Sequence, residues 1–313
     1  MTDEEKFCEG HFVKAAKRDE NGRFIVSMAF KNNSQPDLGD SKKTALAMLF
    51  QLEKRFKKIP ELKKLYADVI HDEIKNGYLK LVEKTPLNAH YIPHHAVFKD
   101  STTTKLRTVY NASQKTTNGK SLNEQLAIGK TVQSTMFELT LQWRTHKISL
   151  IADIEKMYKQ IKLDENQQHL QMVLWRDSEH ERIKEYKMTT VTFGFSDSPY
   201  LAIRWLKALA ESVAEKYPLA AHVIKNNFYV DDHTGGAPTE EKAIELYKQL
   251  KAAFLSAGCN LRKFISNSNV VLQHIPENDR ELNIDRTVKV LGIVWNPQSD
   301  NFEFKLNICL ETS

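Results

Sequence analysis

Apolar positions recur along this chain in two rhythms. From Ser41 to about Lys58, Leu46, Leu49, Phe50, Leu52 and Phe56 fall at three- and four-residue spacing among many lysines. That is the pattern of a helix burying one face. Ser41 stands where an N-cap is expected, and Pro60 opens a second helical run as a first-turn proline. Ahead of these helices lies a strand-like run, Phe24 to Phe30, preceded by the turn pair Asn21-Gly22 and followed by a polar linker, Lys31 to Asp40.

From Tyr91 the pattern changes to strands. Tyr91 to Lys99 and Leu106 to Tyr110 flank a polar tip, Asp100 to Lys105, and read as a hairpin. Thr131 to Arg144 reads as a helix that delivers the chain to a β-rich run, Ile148 to Ala152, with Asp153 at its end. Leu170 to Trp175 and Ile183 to Met188 alternate as paired strands, and Phe193-Gly194-Phe195-Ser196-Asp197-Ser198-Pro199 runs into a helix. Phe228 to Asp232 reads as a strand closing on two aspartates, with Gly235-Gly236 as the turn of the hairpin that follows. Glu240 to Ala257 carries Ala243, Leu246, Tyr247, Leu250 and Phe254 on one face; Gly258 ends it, and a strand begins at Asn260. Strands and helices in this mixed order predict an α+β fold, an antiparallel sheet backed by helices.

The chemistry sits at two strand ends. Adjacent carboxylates repel and resist burial, so Asp231-Asp232 placed against apolar residues calls for a cation, although a solvated turn is the commoner fate of an Asp pair. Asp153 sharpens the choice, because two neighbouring strands ending in Asp gather three carboxylates at one spot. Magnesium favours such oxygens and leaves positions for substrate phosphates. Two ions held there would activate an attacking hydroxyl and stabilise the leaving oxygen of a phosphoryl transfer. His94 and His95 lack further ligands at zinc spacing and read as structural. Gly119-Lys120-Ser121 lacks the earlier glycine of a phosphate-binding loop.

Bulk properties add limits. The 313 residues suit one large domain or two small ones, and a net charge of +5 with a pI near 8.8 permits a polyanionic partner without requiring one. Cys8, Cys259 and Cys309 have no metal-ligand spacing and imply reduced thiols. The sequence shows no apolar run of membrane-span length and no signal-peptide core, so the expected setting is intracellular, not secreted.

The order A-D-x-x-x-x-Y (Ala152 to Tyr158), F-G-x-x-x-S-P (Phe193 to Pro199), Y-V-D-D (Tyr229 to Asp232) and L-G-x-x-W (Leu291 to Trp295) resembles the palm of reverse transcriptases, specifically the BEL/Pao class of LTR retrotransposons. The resemblance implies an N-terminal extension over 1–40, helices and strand-rich fingers over 41–148, a palm with a primer-grip-like hairpin over 149–304 and a truncated tail over 305–313. Thumb, RNase H and integrase would be missing. It implies an RNA-directed DNA polymerase that extends a primer on an RNA or DNA template with dNTPs, in a cytoplasmic particle or the nucleus. Asp153 and Asp231 would bind two Mg²⁺ ions, or Mn²⁺ in their place, with Asp232 completing the cluster as ligand or one step removed. Arg107 would hold the incoming phosphates with Lys99, or Lys105 as second choice. Lys263, or its neighbour Arg262, would protonate the leaving pyrophosphate. Tyr158 would exclude the 2′-hydroxyl, Phe193-Gly194 would support the base pair, and Leu291, Gly292 and Trp295 would grip the primer. Phe193 replaces a family Gln, Asp197 a small residue and His233 a Leu. The alternative is a catalytically inactive or domesticated nucleic-acid-binding remnant.

Overall fold

A computed structural model describes residues 1–98, 106–130, 133–282 and 286–304. Lys99, Lys105 and the 305–313 tail lie outside them. The chain divides into two compact units, Met1–Thr131 with Tyr158–Ala202, and Val132–Met157 with Ile203–Ser313. The mixed α/β architecture with small antiparallel sheets agrees with the expected class at that level. Among the described residues, no helix is long and apolar enough to cross a membrane.

The first unit is built on the two predicted helices, Lys42–Lys58 and Pro60–Lys75. Leu49, Leu52 and Phe56 from one and Leu62, Tyr66 and Ile70 from the other enter a single core with Trp175. Tyr66 stacks on Trp175 at 5.5 Å and meets Phe56 at 5.4 Å, and each such side chain contributes roughly 1.5–3 kcal/mol of burial. Leu79–Leu81, Lys184–Met188 and Met172–Trp175 form an antiparallel sheet in that order. His94–Phe98 pairs with Leu106–Tyr110, and Val97 faces Arg107. His94 is structural, as expected. The Leu174 carbonyl can only accept, so Nε2 carries the proton (2.9 Å) and Nδ1 accepts from the Tyr66 hydroxyl at 2.5 Å.

Three local expectations fail here. Ser41 does not cap its helix, because its hydroxyl accepts from the Tyr91 backbone N–H at 2.8 Å. The Phe24 to Phe30 strand shortens to Phe24–Val26. An unforeseen helix, Asp3–Ala15, is closed by a capping box between Thr2 and Glu5 and buries only Cys8 and Phe12, too narrow a stripe to stand out as a period.

The second unit centres on a four-stranded antiparallel sheet ordered Phe228–Tyr229, Asp232–Ala237, Ile148–Ile154, Leu261–Ser266. Glu240–Leu255 packs on it as predicted, capped by Thr239, whose side chain accepts from the Lys242 N–H. A second set of strands, Val288–Val290, Ile293–Asn296 and Asn301–Glu303, turns at Leu291-Gly292, both with positive φ, as a two-residue hairpin requires. Trp143, Leu139, Ile151, Ile265 and Trp295 fill the core between this hairpin and the larger sheet.

The hairpin turn falls at Val230-Asp231, and Gly235-Gly236 lies inside the strand. The glycines are there for space. A Cβ on Gly236 would overlap the Ile148 carbonyl oxygen of the neighbouring strand.

Candidate active site

Ile148–Ile154 is buried along almost its whole length and carries Asp153 out at its end. Its neighbour starts at Asp232, directly opposite Asp153 in the register. Asp231 sits in the turn before it, and its carbonyl accepts from the Ile154 N–H at 2.9 Å. Backbone pairing thus brings the predicted carboxylate-bearing residues side by side. Val230 holds φ 54 in this turn, a conformation that costs a β-branched residue roughly 1–3 kcal/mol. The Gln133 side chain accepts from its N–H at 3.2 Å.

Charge at this corner is unbalanced. Burial pushes the Asp153 carboxyl above its ordinary value and the Asp231 charge adds to this, while Lys263 and Arg262 pull the other way. Lys263 Nζ lies 3.6 Å and Arg262 Nε 4.0 Å from Asp153 Oδ2; Arg262 also pairs with Glu155 at 3.0 Å. Lys263 has φ 56 and occupies a bulge where the register slips between Arg262 and Ile265, which re-aims its side chain. A carboxyl disfavoured by burial and by a neighbouring anion gains from any cation beside it. Among the described residues, no group of three or more His, Cys, Asp or Glu converges as a ligand set. The three carboxylates expected at one spot thus do not form a ligand set there; what the corner offers is Asp153, opposite Asp232 and raised by burial and by the Asp231 charge, an oxygen donor of the kind a hard ion takes alongside water and substrate oxygens.

The remaining predicted residues divide between the units. In the first, Tyr158 is buried and its ring centroid lies 3.9 Å from that of Phe193, which is 55 % exposed. Gly194 has φ +100, and a Cβ there would overlap the Tyr110 carbonyl. Asn123 brackets this turn, donating to the Gly194 carbonyl at 2.9 Å and accepting from the Ser196 N–H at 3.0 Å. Arg107 is exposed on its strand. In the second unit, Leu291 and Gly292 form the hairpin turn, whereas Trp295 is fully buried, edge-on to Trp143 at 5.1 Å and donating to Asp300 at 3.0 Å.

Two residues that stand out from the family pattern are absorbed by packing. His233 is fully buried against the Phe228 ring at 5.1 Å and donates through Nδ1 to the Asn227 carbonyl; burial lowers its pKa to about 4, so the ring is neutral. Asp197 is buried too, and burial raises its pKa to about 7. Sequence spacing missed Glu73, Tyr110, Lys159 and Asn123, whose contacts join residues far apart in the chain.

A comparison with curated proteins gives no match. Residues 92–292, well over half the chain, match the family described as reverse transcriptase (RNA-dependent DNA polymerase). That span includes Asp153, Tyr158, Phe193-Gly194, Asp231-Asp232 and Leu291-Gly292 in order, and the chain belongs to the reverse transcriptase family.

Proposed function

We propose that this chain is the fingers and palm of a BEL/Pao-type retrotransposon polymerase that adds deoxynucleotides to a primer 3′-hydroxyl by two-metal catalysis. The observation that carries this reading is the pairing of Asp153 with Asp232 across adjacent strands, with Asp231 in the turn beside them. Asp153 and Asp231 would hold two Mg²⁺ ions, or Mn²⁺, and Asp232 would complete the negative cluster. Bound there, the ions would supply Lewis-acid activation of the primer hydroxyl and charge neutralisation on the phosphates.

The protein's own groups do the rest. The primer 3′-oxygen would give up its hydroxyl proton to water and form a bond to the α-phosphorus, while the bond to the β,γ-diphosphate breaks and its electron pair leaves on pyrophosphate. Lys263, 3.6 Å from Asp153, would give a proton to the leaving pyrophosphate, with Arg262 the competing candidate. Arg107 suits the triphosphate because its planar fork makes paired bonds to phosphate oxygens, with Lys99 as its proposed partner. Phe193 and Gly194 would offer a surface for the base pair, and Tyr158, buried against Phe193, would meet the sugar. Leu291 and Gly292 present the primer-grip turn while Trp295 anchors that hairpin in the core.

Primer extension on an RNA template with dNTPs and Mg²⁺ tests this directly. Products that vanish on chelation and return with added Mg²⁺ support it. Duplex binding without any extension would favour the inactive remnant instead.

A further inference from the structure

Behind Tyr158 lies a buried polar chain that the polymerase reading does not use. Glu73, on the inner face of Pro60–Lys75, accepts from the Tyr110 hydroxyl at 2.6 Å through one carboxylate oxygen. Through the other it pairs with Lys159 at 2.9 Å, and both side chains are almost wholly removed from solvent. The Lys159 ammonium also faces the rings of Tyr110 at 5.5 Å and Tyr78 at 5.8 Å. Burial and the Glu73 charge drive the Tyr110 phenol well above its ordinary pKa, so it stays a donor.

These contacts close a circuit. Lys159 is the residue after Tyr158, and Arg23 fixes the same short helix by donating to the carbonyls of Lys159 at 2.8 Å and Gln160 at 3.1 Å. On the other side, the Tyr110 carbonyl is the surface on which Gly194 rests, and Gly194 follows Phe193, the ring that covers Tyr158. The Tyr158–Phe193 ring pair is therefore held from both backbones by the Glu73 carboxylate, one through Lys159 and the other through Tyr110. A buried ion pair contributes little net stability compared with an apolar replacement, so a positional role is the better account of its presence.

We infer that Glu73, with Lys159 and Tyr110, is a positioning device that sets Tyr158 against Phe193 and thereby tunes discrimination between deoxyribose and ribose. The link to sugar choice rests on the reading of Tyr158 as the sugar gate; the link to ring position does not. The test uses the full chain labelled with 3-fluorotyrosine, in which Tyr158→Phe identifies the Tyr158 fluorine line and Phe193→Leu calibrates the displacement caused by losing the ring contact. Glu73→Gln and Tyr110→Phe alter the device far from Tyr158 in sequence. The neutral double variant Glu73→Gln/Lys159→Met keeps the fold testable should a single unpaired charge unfold it.

The expected result is that the Tyr158 line moves toward its position in Phe193→Leu in the single variants, and that the ribonucleotide to deoxynucleotide incorporation ratio rises roughly tenfold. A Tyr158 line that stays in place in every folded variant overturns the inference. A ratio moved by Tyr158→Val but by none of the Glu73, Lys159 or Tyr110 variants overturns the tuning while leaving the gate intact. A ratio unmoved by Tyr158→Val removes the gate itself, and the fluorine line then decides the positioning claim alone.

Discussion

Replacing Asp197 by Asn should make the protein less stable at low pH than at high pH relative to the native chain. Asp197 is 2 % exposed, its Oδ2 has no hydrogen-bond partner among the described residues, and the cavity beside it, about 10 Å³, is lined by Met28, Leu163, Val191, Phe195 and Leu201 together with Gln171, Thr192 and Ser198. Such a space holds one water at most. Burial is the dominant cause that lifts its pKa from the ordinary 3.8 to about 7, and a bond from its own backbone N–H offsets only part. The folded state therefore binds the proton more tightly than the unfolded chain does. Its destabilising contribution is absent below about pH 4, grows as pH rises through that window, and is complete above about pH 7. At 1.36 kcal/mol per tenfold change in proton affinity, the full cost is on the order of 4 kcal/mol, of which about 2–3 kcal/mol accrues between pH 5 and pH 8. Asn does not titrate, and its amide leaves a comparable unmet group that costs roughly 1–3 kcal/mol at every pH. Urea unfolding of both proteins at pH 5, 6, 7 and 8 should give a stability difference that moves in favour of Asn by about 2–3 kcal/mol across the series. Parallel curves would refute the assignment of a buried, late-titrating carboxyl. Cys8, whose thiol burial raises to about 11 with Glu4 and Asp197 adding to it, stays neutral over this range and does not confuse the profile.

Gly236→Ala should lower the melting temperature by an amount equivalent to about 1–3 kcal/mol, because the new methyl meets the Ile148 carbonyl inside the sheet; an unchanged melting temperature would disprove the close approach. Trp295→Ala should cost roughly 3–5 kcal/mol in urea unfolding, since the ring is fully buried against Trp143, whereas a surface gripping role alone would leave stability nearly intact. Tyr158→Val should raise ribonucleotide incorporation relative to deoxynucleotide by more than it changes the overall rate, measured side by side on one primer. An unchanged ratio with a lowered melting temperature would make Tyr158 core only.

What the sequence revealed depended on how local the cause was. The Glu240–Leu255 helix was legible because its burial repeats at helical spacing, and the Ile148–Ile154 strand because it is a short continuous apolar, β-rich run. The placing of Asp153 opposite Asp232, with Asp231 in the turn beside them, was legible because two apolar runs ended alike, but the backbone register does not by itself converge their carboxylates, and no set of three does so among the described residues. Gly235-Gly236 misled because glycine serves turns and close packing equally, and only the neighbouring Ile148 carbonyl separates the two uses. Ser41 misled because a partner fifty residues away claims its hydroxyl. The charge expected at Asp197 is deferred to about pH 7 by burial among residues from four stretches of chain, which no local pattern reveals. Glu73 and Lys159 stand 86 positions apart, and no spacing rule connects them.

The most direct test of the central claim is single-turnover primer extension by the native chain and by Asp231→Asn on the same RNA template, with dNTPs and Mg²⁺. Because the substitution removes a charge where the transition state develops its own, the rate should fall by about 10²–10³-fold or more, with little change in unfolding. An Asn variant that extends the primer at the native rate would contradict the assignment of this corner as the polymerase centre.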